Sequence, residues 1–305
     1  MKKLLLIVLL IAGCGKNHND IIYHFMNLNN GINNLTNHDE FTNTWSKFDI
    51  DVRLKQSNGK KNELFHFISK QVLEWSDSEK KILDSVMQLI NKDIKSLKLQ
   101  IDYPDTIFFI KTTGEEEGNA AGYTRSKCII LSENTLLLEF QELKNLVIHE
   151  LFHIVSRYNL RFRKIMYEII DFKLIEDIEF PMSLIDFKLT NPDAPSINSY
   201  INLSNDVMDD DYVLITYSES NYNKGGIFDY LQFGFIKLKD LKTSVKTPII
   251  YSENDFTNFY EKIGKNTNYI IHADEILADN FVFLLNNRIN LPSQWVVDKM
   301  KNKLQ

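Results

Sequence analysis

The succession of predicted elements along this 305-residue chain indicates an α+β fold, with strands ahead of one central helix and mostly helices after it. Two apolar runs, "DTIFFIKTT" and "GYTRSKCIILS", are typical of strands and are separated by the turn-forming "GEEEGNAA". A long amphipathic stretch from Thr135 to Tyr158 then predicts the helix. We therefore expect a small antiparallel or mixed sheet packed on this helix, followed by a mostly helical lobe with a β-hairpin insertion.

Composition limits the classes of protein to consider. With 44% hydrophobic residues the chain can bury a large core, and its length predicts about two lobes, which we place at residues 61–160 and 161–305. The formal net charge of −6 and the isoelectric point near 5.7 argue against binding to nucleic acid, which requires a basic surface. A nucleic-acid partner is therefore not expected.

The first fourteen residues, "MKKLLLIVLLIAGC", have the features of an export signal. Lys2 and Lys3 precede an apolar run from Leu4 to Ala12, which is too short to cross a bilayer as a helix. The ending "IAGC" resembles the lipobox of bacterial lipoproteins, which implies that residues 1–13 are a signal peptide and that Cys14 is acylated. We expect an exported, extracytoplasmic protein held on a bacterial membrane by this lipid. The alternative is an ordinary signal peptide with a chance cysteine.

Residues 14–60 are polar and rich in asparagine, so they are expected to form a lipid-anchored tether and a lead-in to the first lobe. Cys128 is the second of only two cysteines in the chain. Once Cys14 is acylated, no partner remains for a disulfide within the chain. Cys128 is therefore expected to be a small, buried apolar residue.

Helical patterns account for most of the remaining chain. Apolar residues recur at helical intervals in "NELFHFISKQVLEW" and in "SDSEKKILDSVMQLINKDIKSL", where Ser76 is a typical helix-starting residue. Asn159 is expected to end the central helix, and "RFRKIMYEIIDF" to form the next one. Gly225 and Gly226 are expected to turn a long hairpin, and "TNPDAPSINSYINL" to be an extended surface segment. Two further helices are predicted in "HADEILADNFVFLLNNR" and "PSQWVVDKMKNKL".

The stretch "VIHELFHIVSRYN" lies in the central helix and contains the motif H-E-x-x-H. His149 and His153 are four residues apart, so a helix presents both imidazoles on one face, where they can bind one zinc ion. Glu150 projects beside that point and can take a proton from a zinc-bound water. The alternative is an amphipathic helix whose two histidines are satisfied within the core.

A catalytic zinc needs a third protein ligand and an open fourth position. The metzincin continuation is excluded, because Ser156 and Asn159 stand where that pattern requires glycine and histidine. The best source of the ligand is "HADEILADNF", in which Glu275 and Asp279 share one face of a predicted helix. His272 is the rival ligand in the same segment, and an acidic helix start without a metal is the remaining alternative.

The motif H-E-x-x-H followed downstream by E-x-x-x-D resembles the gluzincin branch of zinc metallopeptidases, which includes thermolysin. The resemblance covers roughly residues 105–160 and 270–285. It implies a zincin-like fold, one catalytic Zn²⁺ and hydrolysis of a peptide substrate aligned along the strand "GYTRSKCIILS". The zinc ligands that it implies are His149, His153 and Glu275, the general base is Glu150, and the residue that supports His149 is Asp279.

The chain departs from thermolysin in the long separation of Glu275 from the second histidine. An inserted lobe of roughly residues 160–270 must leave the site and return. Gluzincins also use a tyrosine or histidine to hold the oxyanion, and Tyr200 and Tyr217 lie in this lobe, although no motif selects either of them. Two other functions stay open at this stage: a zinc hydrolase for a non-peptide substrate, and a non-catalytic binding lipoprotein.

Overall fold

A computed structural model describes residues 20–242 and 247–305. The expected signal peptide, residues 1–13, and Cys14 lie outside this part of the chain. The described residues form an α+β protein with one five-stranded mixed sheet and a separate four-stranded antiparallel sheet, so the predicted class is confirmed. The helices are α1 (Leu28–Leu35), α2 (Glu40–Asn43), α3 (Lys47–Leu54), α4 (Lys61–Ser69), α5 (Asp77–Ser96), α6 (Phe140–Tyr158), α7 (Leu160–Ile169), α8 (Leu238–Lys242), α9 (Phe259–Ile263), α10 (Ala273–Leu285) and α11 (Gln294–Leu304). Within these residues, no helix combines the length and the apolar character needed to cross a membrane.

The first sheet carries the edge strand that borders the candidate site. Its strands are β1 (Tyr23–Phe25), β2 (Val72–Leu73), β3 (Ile107–Thr112), β4 (Gly122–Arg125) and β5 (Cys128–Ser132). β1, β3 and β5 run parallel, β2 pairs with the far end of β3, and β4 pairs antiparallel with β5 at the edge. The segment "GYTRSKCIILS" is thus two strands rather than one. They are separated by a turn at Ser126, whose φ of 52° is left-handed.

The second sheet lies in the inserted lobe and is an antiparallel meander in the order β6-β7-β8-β9. Its strands are β6 (Phe172–Ile178), β7 (Ile197–Ser204), β8 (Asp209–Tyr217) and β9 (Gln232–Lys237). The predicted hairpin is confirmed, because β8 pairs with β9 and the loop between them contains Gly225 and Gly226. The lobe holds more strand than predicted, since half of the expected surface segment is β7, in which Ser199, Ile201 and Leu203 alternate as buried residues.

Residues 20–60, which the sequence places in the tether and lead-in, pack against the rest of the protein. β1 joins the first sheet, and Arg53 on α3 is 1% exposed between Asp49 and Glu117. The asparagine-rich composition conceals this packing because asparagine also starts helices. The side chain of Asn27 caps α1 by accepting a hydrogen bond from a backbone N–H.

The central helix α6 positions the candidate site. It begins at Phe140, later than predicted, because Thr135–Leu137 forms a short 3-10 turn. It ends at Tyr158 as predicted, and the side chain of Asn159 then caps α7 by accepting from the backbone N–H of Phe162. The helix packs against β4, β5, α5 and α10. Its buried apolar residues are Leu143, Val147, Ile148, Leu151, Phe152, Ile154 and Val155.

Cys128 in β5 is 2% exposed, as predicted, and burial raises the pKa of its thiol to about 12. A thiol with this pKa is almost entirely protonated near pH 8 and reacts slowly. In a Cys14→Ser protein, we expect a disulfide reagent such as DTNB to leave the native chain unmodified and to label one thiol per chain in concentrated guanidinium chloride. Rapid labelling of the native protein would contradict the buried position of Cys128.

Candidate metal centre

The helices α6 and α10 pack side by side and bring three potential metal ligands together. His149 and His153 lie one turn apart on α6, with their ring centroids 4.8 Å apart, and Glu275 lies in the first turn of α10. His149 Nε2 is 3.0 Å from Glu275 Oε2, and His153 Nε2 is 3.3 Å from the same oxygen. The ligand atoms of the three residues lie within 4.8 Å of one another, so this set could hold a metal ion.

His153 provides the observation that tests this fit. Its side chain is 0% exposed, yet neither ring nitrogen has a hydrogen-bond partner. Nε2 lies near Glu275 without the alignment of a hydrogen bond, and Nδ1 is 3.9 Å from Asp274 Oδ2, which is beyond hydrogen-bond distance. Because buried polar atoms are nearly always satisfied, the bare Nε2 is in the state expected of a nitrogen whose partner is a metal ion.

The other two ligands are oriented by further contacts. His149 Nδ1 is 3.0 Å from Asp279 Oδ1, and Thr267 donates a hydrogen bond to the second oxygen of Asp279. Asn191 Nδ2 donates to Glu275 Oε1 over 2.6 Å, so that Oε2 faces the histidines. Contacts of this kind fix the tautomer and the orientation of metal ligands.

Glu150 lies beside the three ligands and faces the cleft that leads to them. It is 2% exposed, and its Oε2 has no hydrogen-bond partner. Burial, together with the nearby charge of Asp193, raises the pKa of Glu150 to about 8. The backbone of β4 approaches this carboxylate closely at Gly122, where a Cβ atom would be 3.1 Å from Glu150 Oε1. Glycine at this position therefore leaves room for the glutamate.

The charges around the two histidines favour a cation between them. Burial lowers the pKa of His149, but hydrogen bonds to Asp279 and Glu275 outweigh burial and raise that pKa to about 10. Burial raises the pKa of Glu275, yet His153 and His149 together hold it well below its ordinary value. The carboxylates thus stabilise a positive charge at this point, whether a proton or a metal ion supplies it.

The site opens to solvent through a cleft of about 480 Å³. The larger apolar side chains in its lining are Leu146, Phe228, Val282 and Phe283. Tyr269 also lines the cleft, with its ring centroid 6.4 Å from that of His149. Burial and the surrounding carboxylates raise the pKa of Tyr269, so its hydroxyl stays protonated and can donate a hydrogen bond. The charged residues in the described lining, apart from His149, are acids: Glu150, Asp193, Glu275 and Asp279.

Residues 191–195, "NPDAP", lie against β4 and contact the site through Asp193 as well as through Asn191. Asp193 Oδ1 accepts hydrogen bonds from the backbone N–H and the Oγ1 of Thr124, each over 2.7 Å. Burial raises the pKa of Asp193. Asp193 also forms a second group of close ligand atoms with Glu150 and His153. The set containing Glu275 is the better metal site, because it has two imidazoles and Asp193 Oδ1 already accepts two hydrogen bonds.

Five residues that the sequence singles out meet in this site: His149, Glu150, His153, Glu275 and Asp279. His272 does not join them, because it caps α10 and its Nδ1 accepts a hydrogen bond from the backbone N–H of Asp274 over 3.1 Å. Tyr200 and Tyr217 pack with the apolar residues of the second sheet and do not line the cleft. No motif or spacing in the sequence points to Asn191, Asp193 or Tyr269, which lie in irregular segments.

Comparisons with protein-family models, with curated proteins and with solved structures found no match to this chain. Its function is therefore inferred from the chemistry and geometry of the site itself.

Proposed function

We propose that this protein is a zinc-dependent hydrolase of peptide bonds, with one Zn²⁺ held by His149, His153 and Glu275. Two imidazoles and one carboxylate are the donor set of catalytic zinc sites that keep a position open for water or substrate. The observation that carries the proposal is the pair of buried, unsatisfied atoms at its centre, His153 Nε2 and Glu150 Oε2. We propose that His153 Nε2 binds the metal ion and that Glu150 Oε2 accepts a proton.

Glu150 is proposed as the general base. When bound, zinc would polarise the attacking water and the substrate carbonyl. Glu150 accepts a proton from that water and passes it to the leaving amine, a role that suits a buried carboxylate that faces the cleft beside the ligands and whose Oε2 has no hydrogen-bond partner. Tyr269, whose hydroxyl stays protonated, is proposed to donate a hydrogen bond to the oxygen that becomes negative.

A peptide is the proposed substrate because the cleft combines a free sheet edge with an apolar lining. β4 is the outer strand of the first sheet, and Gly122 on it lines the cleft beside Glu150. An extended peptide can add to such an edge through main-chain hydrogen bonds. A mixed sheet with an antiparallel edge strand beside an H-E-x-x-H helix also supports the proposal that the fold is zincin-like. We further propose that acylation of Cys14 anchors the enzyme to a bacterial membrane, outside the cytoplasm.

The metal site is tested by measuring bound zinc in the wild type, Glu275→Ala and His272→Ala. We expect about one zinc per chain in the wild type and in His272→Ala, because His272 caps a helix and does not belong to the group of ligand atoms. Glu275→Ala should bind zinc more than about 100-fold more weakly, which exceeds the loss typical of residues outside the ligand set.

His272→Ala is a matched control because it lies three residues from Glu275 and removes a half-buried polar side chain at the N-cap of α10. Circular dichroism should show both variants folded. If His272→Ala lost zinc and Glu275→Ala kept it, His272 rather than Glu275 would be the third zinc ligand. A wild-type protein that binds no zinc, even after incubation with the metal, would refute the proposed enzyme.

A further inference from the structure

The outer edge of β4 faces the cleft at Gly122 (its open end) and is covered by Asp193 at Thr124 (its closed end). Along an antiparallel strand, residues two apart direct their backbone groups to the same side. The backbone N–H of Thr124 points away from β5, because it donates to Asp193 Oδ1 over 2.7 Å. Gly122, two residues earlier, faces the same way and lines the cleft. A peptide can therefore pair with β4 at Gly122, whereas the place beside Thr124 is already taken.

The segment 191–195, which covers the closed end of β4, is held in place by several hydrogen bonds. Arg157 on α6 donates from Nη2 to the carbonyl oxygens of Pro192 and Asp193, over 3.1 and 2.9 Å, and to Thr124 Oγ1 over 3.1 Å. Asn191 binds Glu275 at the other end of the segment. The segment 191–195 is thus tied to the central helix, to the edge strand and to a metal ligand.

The closed end lies very near the proposed zinc ion. A carboxylate oxygen of Asp193 is within 4.8 Å of the nearest ligand atoms of both Glu150 and His153. Successive Cα atoms of an extended peptide are about 3.8 Å apart, so only one residue of a substrate fits between the closed end and the point of hydrolysis.

The charge of the lining decides which end of a peptide is accepted. The described residues that line the cleft include four carboxylates and neither lysine nor arginine. With the proposed Zn²⁺ bound, the four carboxylates still exceed the two positive charges of the ion, so a terminal carboxylate would be repelled and a terminal ammonium attracted. A peptide that pairs antiparallel with β4 also places its amino end at the Thr124 end of the strand. The charge of the lining and the direction of pairing with β4 therefore both favour binding of the amino end of a peptide.

We propose that the protein is an aminopeptidase that removes one residue at a time, and that Asp193 binds the α-ammonium group of the substrate. This inference rests on the proposed function and specifies its substrate. Water adds across the first peptide bond, so the released amino acid gains the new carboxylate. The proton taken by Glu150 goes to the amine of the shortened peptide. Asp193 determines specificity and forms no bond with the reacting carbon.

The first test compares three versions of one peptide, given to the zinc-loaded protein: free at both ends, N-acetylated, and amidated at the C-terminus. We expect stepwise release of N-terminal residues from the free and the amidated peptides. Acetylation should lower kcat/KM at least roughly 100-fold, because a site built for a polar group rejects an analogue that lacks it. Internal cleavage of the acetylated peptide at the rate at which the free peptide is hydrolysed would overturn the inference. It would leave the proposed hydrolase intact.

The second test measures binding without turnover. Calorimetry would compare leucine hydroxamate with N-acetyl-leucine hydroxamate in the wild type, Asp193→Asn and the control Asp77→Asn, whose side chain is 95% exposed on α5. Asparagine can still accept from Thr124, so the fold should be retained. We expect the wild type and the control to prefer the free amine about 10-fold or more, and Asp193→Asn to lose that preference. Equal binding of both probes by the wild type would overturn the inference, as would loss of zinc from Asp193→Asn, which would make Asp193 a metal ligand.

Discussion

Replacing Glu150 with glutamine is expected to remove most peptide hydrolysis and to leave the zinc in place. The amide has the size of the carboxylate but cannot accept the proton of the attacking water. Loss of a general base typically lowers the rate by about 10²- to 10⁴-fold. Steady-state kcat on an N-terminally free peptide, measured together with zinc content, separates this effect from loss of the metal.

Glu142→Gln is the matched control, since Glu142 lies on the same helix and is exposed in its first turn. This variant should hydrolyse the peptide at the wild-type rate. Full activity in Glu150→Gln with one bound zinc would eliminate Glu150 as the base. Lost zinc in that variant would instead place Glu150 among the ligands, in the group that it forms with His153 and Asp193.

Replacing Arg53 with alanine is expected to destabilise the fold by about 3–5 kcal/mol, because it leaves two buried carboxylates without their counter-charge. Arg53 donates to Glu117 from Nε and Nη2 and to Asp49 from Nη1, at 2.7–3.0 Å. Asp49 also accepts from the backbone and the hydroxyl of Thr190, which directly precedes Asn191. Denaturant unfolding followed by circular dichroism would measure the loss.

Lys80→Ala provides the comparison, since Lys80 pairs with Asp77 at 4.0 Å and both side chains are exposed. Such surface pairs contribute about 0–1 kcal/mol, so this variant should stay close to the wild type. Arg53→Lys should fall between the two, because lysine keeps the charge but cannot donate to both carboxylates in the same geometry. An Arg53→Ala protein within about 1 kcal/mol of the wild type would show that the network contributes little.

The site residues that lie on helices could be predicted, because they form pairs only four residues apart in the sequence. His149 and His153 share a face of any helix, and so do Glu275 and Asp279, so each pair could be recognised without knowing the fold. That the two pairs meet depends on the packing of α6 against α10 across the inserted lobe. The expectation that the two pairs meet came from the resemblance to gluzincins. In the structure, His149 lies within hydrogen-bond distance of both Glu275 and Asp279.

Other parts of the molecule were hidden from sequence reasoning for identifiable reasons. Asn191 and Asp193 lie in a segment without regular structure, so their place at the site follows from contacts with Thr124 and Glu275 that are distant in sequence. The prolines ahead of β7 indicate a loop, so the sequence pattern does not predict this strand. Composition assigns residues 20–60 to a lead-in because asparagine is common both in loops and at helix starts, and composition does not separate the two.

The unsatisfied nitrogens of His153 have a consequence for the lifetime of the folded protein. A folded chain that keeps polar atoms buried without partners is less stable than its packing alone would make it. If zinc binds only the folded state, the fold gains about 2.7 kcal/mol at a free zinc concentration 100 times the dissociation constant. Resistance to unfolding and to proteolysis would then rise and fall with the concentration of free zinc, so that scarcity of the metal would lower the amount of folded protein.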